Sequence, residues 1–184
     1  MSGALEECVF NVPHVICGVV LQPPSIWHVW LLQFVRSPYV GAAEDGTASD
    51  LALALLICSR PAESPRTLTA IRSCLPEGDP ALAARIEQEG VLATSLAFQH
   101  YLRDHLALPR CWEKEGGRPV KSPVCLYLVA VLMRCGRMDH DAAWAMPFGY
   151  ARHLCLALAE AGGNEIPLLT EGEEAALREA GHVL

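Results

Sequence analysis

Prolines and helix-capping residues divide this sequence into short segments, and this division is the feature that most restricts its fold. Asp79-Pro80 and Ser122-Pro123 each place a capping side chain directly before a proline, an arrangement typical of a helix N-terminus. Pro23-Pro24 and Pro147 interrupt apolar stretches that would otherwise be long. The sequence therefore predicts many short helices with short connections.

The predicted helices begin at capping residues or prolines and end at glycine, proline or basic residues. Gly90 lies inside one of them, where glycine costs about 1 kcal/mol relative to alanine, so we expect a kink or a break there. This pattern predicts an all-α fold, an irregular bundle of about seven helices. The predicted helix starts lie near Ser25, Thr47 or Ser49, Ser64, Asp79, Ser122, Asp139, Pro147 and Thr170.

The first 22 residues are the least helical part of the chain because they are rich in β-branched side chains. We predict that residues 1–22 form a short N-terminal strand or an extended arm. Residues 23–184 then form a single helical domain. The polar loop 109–122, which contains Gly116-Gly117, is the candidate boundary between subdomains.

Composition and charge exclude several classes of function. The chain is 52% apolar with a net charge of −7, which favours a globular protein without the basic face that a nucleic-acid binder needs. The longest apolar stretch, Val124 to Met133, is about half the roughly 20 residues of a membrane span. The first residues lack the pattern of a signal peptide. We therefore predict a cytoplasmic protein that binds neither nucleic acid nor membrane.

The eight cysteines do not form a metal-binding or disulfide pattern in the sequence. None is spaced as CxxC, and Cys58, Cys125 and Cys155 lie inside apolar runs. In a cytoplasmic chain, such cysteines are typical of small buried hydrophobic side chains. A metal site assembled from scattered ligands is the alternative.

No catalytic or cofactor-binding motif occurs in the sequence, so we predict a protein that is not an enzyme and has no catalytic, cofactor or metal residues. His100 and His105 are about 140° apart on a helix and cannot bind one ion together. Asp139-His140-Asp141 is the start of a helix or, alternatively, half of a metal site. The less favoured alternative is an enzyme whose fold brings together His100, His140 and His153 from distant segments.

Two groups of aromatic side chains are the candidate partner-binding residues. Aromatic side chains at helical spacing are usually part of the core, but tryptophan and tyrosine are also favoured at protein interfaces. His28, beside the first group, is expected to be a hydrogen-bonded core or boundary residue. The candidates are Trp27, Trp30, Phe34, Trp144, Phe148 and Tyr150.

Three segments carry a resemblance to a known group of proteins. They are Ser25-Ile-Trp27-His28 with Ser37-Pro38-Tyr39-Val40, then Ser49-Asp50-Leu51 through Cys58-Ser59-Arg60, and Ala142-Ala143-Trp144-Ala145-Met146-Pro147 running on to Tyr150-Ala151. In these segments the chain resembles the small helical tail assembly chaperones of long-tailed bacteriophages and prophages.

The resemblance implies a non-enzymatic role in tail morphogenesis. The protein would bind apolar helical segments of the tape measure protein and deliver them for polymerisation of the tail tube. A helix laid into a groove would suit such a client. The alternatives are a cytoplasmic helical adaptor, a structural component of the virion or, less favoured, a helical enzyme or metalloprotein of unfamiliar type.

Overall fold

The computed structural model describes residues 14–40, 46–64, 68–106, 122–164 and 179. These residues form eight α-helices, one 3-10 helix (Pro38–Val40) and one two-stranded sheet, which confirms the predicted all-α fold with a short N-terminal strand region. The helices are α1 Ile26–Phe34, α2 Ala48–Ser59, α3 Leu68–Cys74, α4 Pro80–Glu89, α5 Val91–Leu106, α6 Val124–Arg134, α7 His140–Ala145 and α8 Phe148–Ala161.

The N-terminal strands form a hairpin. Strand β1 (His14–Ile16) pairs antiparallel with β2 (Val19–Leu21), and Val15 lies opposite Val20. Cys17 and Gly18 connect them with φ angles of 48° and 70°. Two consecutive positive φ angles are those of a two-residue type I′ turn, which matches the twist of paired strands.

Capping residues start four of the helices as the sequence predicts, and Ser25 is the first of them, at α1. Thr47 and Asp50 form a capping box at α2, in which each side chain accepts the other residue's backbone N–H. These hydrogen bonds from Thr47 hold the pKa of Asp50 below its usual value. Asp79 accepts two backbone N–H groups at the start of α4, and Asp139 does the same at α7.

One predicted cap is wrong. Helix α6 begins after Pro123, which occupies the N-cap position, so Ser122 lies one residue too early to cap it. The predicted cap at Ser64 involves residues 65–67, which lie outside the described residues. The Ser64 hydroxyl itself donates to the Asp141 carboxylate at 2.5 Å.

Helix α2 lies at the centre of the fold. Leu51, Leu55 and Cys58 have no exposed surface, and the helix packs against β2, α1, α4 and α5. At its C-terminal end the Cys58 carbonyl accepts the backbone N–H of Gln22 at 2.8 Å. The Tyr101 hydroxyl donates to the Gln22 carbonyl, so the hairpin is joined to both α2 and α5.

The expected break at Gly90 is present, and it separates α4 from α5. Gly90 has a φ of +99° and a ψ of 113°, a conformation that residues with a side chain rarely adopt. The break lets α5 leave α4 at an angle and lay Phe98 and Tyr101 into the core.

This conformation predicts the sign of a Gly90→Ala substitution. Neither Gly90 nor Gly78 would place an added Cβ within 4 Å of another atom, but only Gly90 has a positive φ. We expect Gly90→Ala to lower the free energy of unfolding by about 1–3 kcal/mol. Gly78→Ala, the matched control, should change it by under about 1 kcal/mol. Urea unfolding measures both, and stabilisation by Gly90→Ala would instead indicate one continuous helix.

Several predictions fall partly or wholly outside the described residues. They concern residues 1–13, most of the loop 109–122 and the helix predicted after Thr170, of which only Glu179 is described, as helical and exposed. Over the described ranges, no helix is both long and apolar enough to cross a membrane.

Candidate protein-binding surface

The tryptophans of the two predicted aromatic groups meet in the core between α1 and α7. Trp27 and Trp144 are 2% and 5% exposed, and their rings meet edge to face with centroids 6.0 Å apart. Trp30 is partly buried and packs edge to face against Trp144, also at 6.0 Å. The structure therefore gives Trp27 and Trp144 a packing role, and only Trp30 of the three keeps part of its surface.

The remaining aromatic candidates divide between core and surface. Phe148 is 5% exposed, and its backbone N–H donates to the Pro24 carbonyl at 2.8 Å. Ile26 donates in the same way to Met146, so the start of α1 is paired with the start of α8. Phe34 and Tyr150 are 39% and 38% exposed, and they are the two candidates whose rings a partner could contact most fully.

His28 is a buried residue whose two ring nitrogens both have partners. Nδ1 accepts the backbone N–H of Ser25 at 3.0 Å, and Nε2 lies 2.9 Å from the Arg60 carbonyl. These partners assign the proton to Nε2, which donates to that carbonyl. Burial lowers the pKa of His28 to about 4. His28 is therefore a hydrogen-bonded core residue, as the sequence predicts. The structure adds that its neutral ring joins the start of α1 to the end of α2, with histidine in the capping-box position that usually holds glutamate or glutamine.

The histidines and carboxylates considered as metal ligands have other partners or lie apart. His140 Nδ1 lies 3.2 Å from Asp141 Oδ1, and its Nε2 accepts the indole N–H of Trp144 at 3.1 Å. His105 is buried, whereas His100 is exposed on another face of α5. Across the described ranges, no three histidine, cysteine or acidic side chains are placed to hold a metal ion.

The described cysteines are free thiols, and most are shielded from solvent. Cys58 and Cys125 are fully buried, and burial raises the pKa of each thiol to about 12. Cys155 is half-buried with a pKa raised to about 11, again mainly by burial. These three thiols are therefore protonated at neutral pH, as expected of cysteines that serve as small hydrophobic side chains. Cys8 and Cys111 lie outside the described residues.

Two surface depressions do not gather reactive groups from distant segments. One lies beside Tyr39, Leu102 and Leu106, and its lining contains neither a histidine nor a carboxylate. The other lies between α2 and α4, where Asp79 is occupied as a helix cap. His100, His140 and His153 line neither depression.

Helix α6 exposes three large apolar side chains on one side, whereas α5 exposes two, Leu92 and Leu96. Its buried residues Cys125, Leu128, Val129 and Leu132 form one side, and α6 packs against α1, α7 and α8. The opposite side is also apolar, with exposed fractions of 43%, 44% and 41% at Leu126, Tyr127 and Met133. We define the α6 face as the exposed residues Leu126, Tyr127, Ala130 and Met133.

The α6 face was not among the predicted partner-binding residues. Its signal in the sequence is the unbroken apolar stretch Val124 to Met133, ten residues without a charged side chain before Arg134 ends the helix. A helix that is apolar all round is normally covered all round. The length of the stretch argues against a membrane span, but its uniform apolar pattern does not indicate which side of the helix is left uncovered.

Phe34 is the last residue of α1, and α1 packs against α6. The preceding residue, Gln33, has its Oε1 3.7 Å from the Cys125 Sγ, in the first turn of α6. The C-terminal end of α1 therefore lies beside the N-terminal end of α6. An exposed aromatic ring and an exposed apolar helix side on neighbouring elements are typical of a protein-binding surface.

Comparison with known proteins identifies no relative: no family model, no curated protein and no solved structure matches the chain.

Proposed function

We propose that this protein is a non-enzymatic assembly factor of the phage tail assembly chaperone type, which binds helical segments of a tape measure protein in the cytoplasm of a bacterial host. The observation that carries the proposal is the α6 face, an apolar helix side left open to solvent. An amphipathic helix from a client could cover it as one helix covers another in a bundle.

The resemblance in the three sequence segments supports the choice of client. Those segments include the first turn of α1, nearly all of α2 and the α7–α8 junction, and α1, α7 and α8 pack against α6. A chaperone that covers apolar helices during assembly needs such an open apolar side and needs no catalytic group. A tail-tube protein is the second client that this role would allow.

Co-purification tests this proposal. The protein is expressed together with its genomic neighbours, and the proteins recovered with it are identified by mass spectrometry. We expect a long helical tape-measure-like protein. The double substitution Leu126→Glu and Met133→Glu should abolish recovery, because burying two carboxylates against an apolar helix is unfavourable. Leu92→Glu, on α5 at a leucine that is 75% exposed, is the matched control and should retain recovery.

Two results would contradict the proposal. Recovery of no partner while the neighbouring proteins are expressed and soluble would remove the chaperone role. If the double variant and the control recover equal amounts of the client, the α6 face is not the binding site. A stable complex of fixed stoichiometry with a protein unrelated to tail assembly would favour the alternative, a helical adaptor or virion component.

A further inference from the structure

The segments that contain α1 and α6 carry arginines but no carboxylates, although the chain as a whole has a net charge of −7. The carboxylates nearest in sequence are Asp139, which caps α7, and Asp141, which accepts the Ser64 hydroxyl. Residues 14–40, which include α1, contain no aspartate or glutamate, and neither do residues 122–138, which include α6. Three exposed arginines occur in these ranges: Arg36, Arg134 and Arg137. The surface formed by α1 and α6 therefore has cations and apolar side chains without carboxylates.

Two of the arginines lie at the C-terminal end of α6, and the third follows α1, whose last turn contacts the N-terminal end of α6. Arg134 follows Met133 at the C-terminal end of α6, and Arg137 lies just beyond it. Arg36 comes three residues after Gln33, whose side chain contacts Cys125 at the N-terminal end of α6. The interval from Leu126 to Met133 is about 10 Å along the helix, which is about two turns of a partner helix.

We infer that the surface formed by the α6 face, Phe34 and these three arginines binds an acidic amphipathic helix of a partner protein. The inference rests on the proposed function for the partner being a protein helix, and it adds the chemistry of that helix. Its apolar stripe covers Leu126, Tyr127, Ala130 and Met133. Its glutamates or aspartates lie beside Arg36 at one end and Arg134 and Arg137 at the other.

Charge argues against a second copy of this chain as the occupant. Two copies that met through this surface would bring arginines together with no carboxylate from either surface to pair with them, which is unfavourable. A membrane surface also fits poorly. Polybasic segments that bind anionic lipids carry four to eight closely spaced cations, whereas three separated arginines are present here.

The test uses the full-length protein and two designed 20-residue helical peptides. They share one leucine and alanine stripe, and their other face carries glutamates in one peptide and lysines in the other. Binding is measured by fluorescence anisotropy at low and high NaCl concentration. We expect the acidic peptide to bind at least about tenfold more tightly than the basic one, with the preference shrinking as salt screens the charges.

A charge swap makes the test specific. Arg134→Glu with Arg137→Glu should weaken binding of the acidic peptide about tenfold and strengthen binding of the basic peptide, a reversal that partial unfolding does not produce. Arg72→Glu, at an exposed arginine on α3, is the matched control and should change neither affinity. Leu126→Glu should weaken both peptides.

Other outcomes would overturn the inference. Equal affinity for the two peptides, or an unchanged preference for the acidic peptide after the charge swap, would show that the surface does not select an acidic helix. Tighter binding to phosphatidylglycerol vesicles than to the acidic peptide would assign the surface to a membrane. If a peptide binds only after four acidic residues of this chain are replaced together by glutamine, the surface is occupied by this chain's own residues. Those residues are Glu171, Glu173, Glu174 and Glu179.

The peptide test and the co-purification test have independent outcomes, so a failure of one can be distinguished from a failure of the other. If the acidic peptide binds with the expected charge dependence but no tape-measure-like protein is recovered, the docking chemistry holds and the chaperone function is wrong. If the client is recovered through the α6 face but the protein shows no preference between the two peptides, the proposed function is supported and the inference of an acidic partner helix is wrong.

Discussion

Trp144→Ala should lower the free energy of unfolding by about 3–5 kcal/mol, one of the largest losses expected from a single substitution in this chain. Trp144 is 5% exposed and packs edge to face against both Trp27 and Trp30. Removing the indole leaves a cavity at the contact between α1 and α7. It also removes the N–H donated to His140 Nε2. Urea unfolding followed by circular dichroism measures the loss.

Tyr150→Ala is the matched control for this prediction. Tyr150 is also aromatic and lies six residues further along the chain, but it is 38% exposed. We expect its removal to change the free energy of unfolding by less than about 1 kcal/mol. Unfolding curves that shift equally for the two variants, or that do not shift for Trp144→Ala, would contradict the assignment of Trp144 to the core.

The second large effect is a loss of stability as the pH falls from about 6.5 to 4. The buried imidazole of His28 has its pKa lowered from 6.5 to about 4 in the folded state. Between these two values the unfolded chain binds a proton at this residue and the folded chain does not, so acid favours unfolding. The contribution of His28 to the free energy of unfolding is complete above pH 6.5. It falls by about 3 kcal/mol as the pH decreases to about 4, and below that pH it is lost.

The His28→Gln variant isolates this contribution. Glutamine does not titrate, and it is a usual residue at this position of a capping box. The pKa values of His105 and His153 are also lowered, mainly by burial, so both act in the same direction and are present in both proteins. We expect the stability of wild type to decline more steeply than that of the variant, by about 3 kcal/mol in total. Parallel declines measured by urea unfolding at each pH would contradict the buried neutral histidine.

Local sequence signals predicted the elements well where the physical cause is itself local. Thr47, Asp79 and Asp139 start helices because each side chain accepts a backbone N–H within three residues. Gly90 breaks a helix because its own φ is positive. The Ser122 cap failed because the exact entry of the backbone into α6 depends on how the helix packs, which neighbouring residues in sequence do not specify.

The sequence was less informative about which side chains a partner could contact. All six aromatic candidates are hydrophobic residues on or next to helices, and periodicity treats them alike. The structure buries Trp27, Trp144 and Phe148 and leaves Phe34 and Tyr150 exposed. That difference arises from the pairing of residues 24–26 with 146–148, which are more than a hundred positions apart in the chain.

By itself, the sequence determined the helical class, most helix boundaries, a short extended region near the N-terminus and the hydrogen-bonded character of His28. These properties depend on caps, glycine conformations and apolar composition within a few residues. Only the tertiary structure decided that α6, apolar on every side, is covered on one side and open on the other. It also decided that the carboxylate-free helices α1 and α6 pack against each other across about ninety residues of intervening chain.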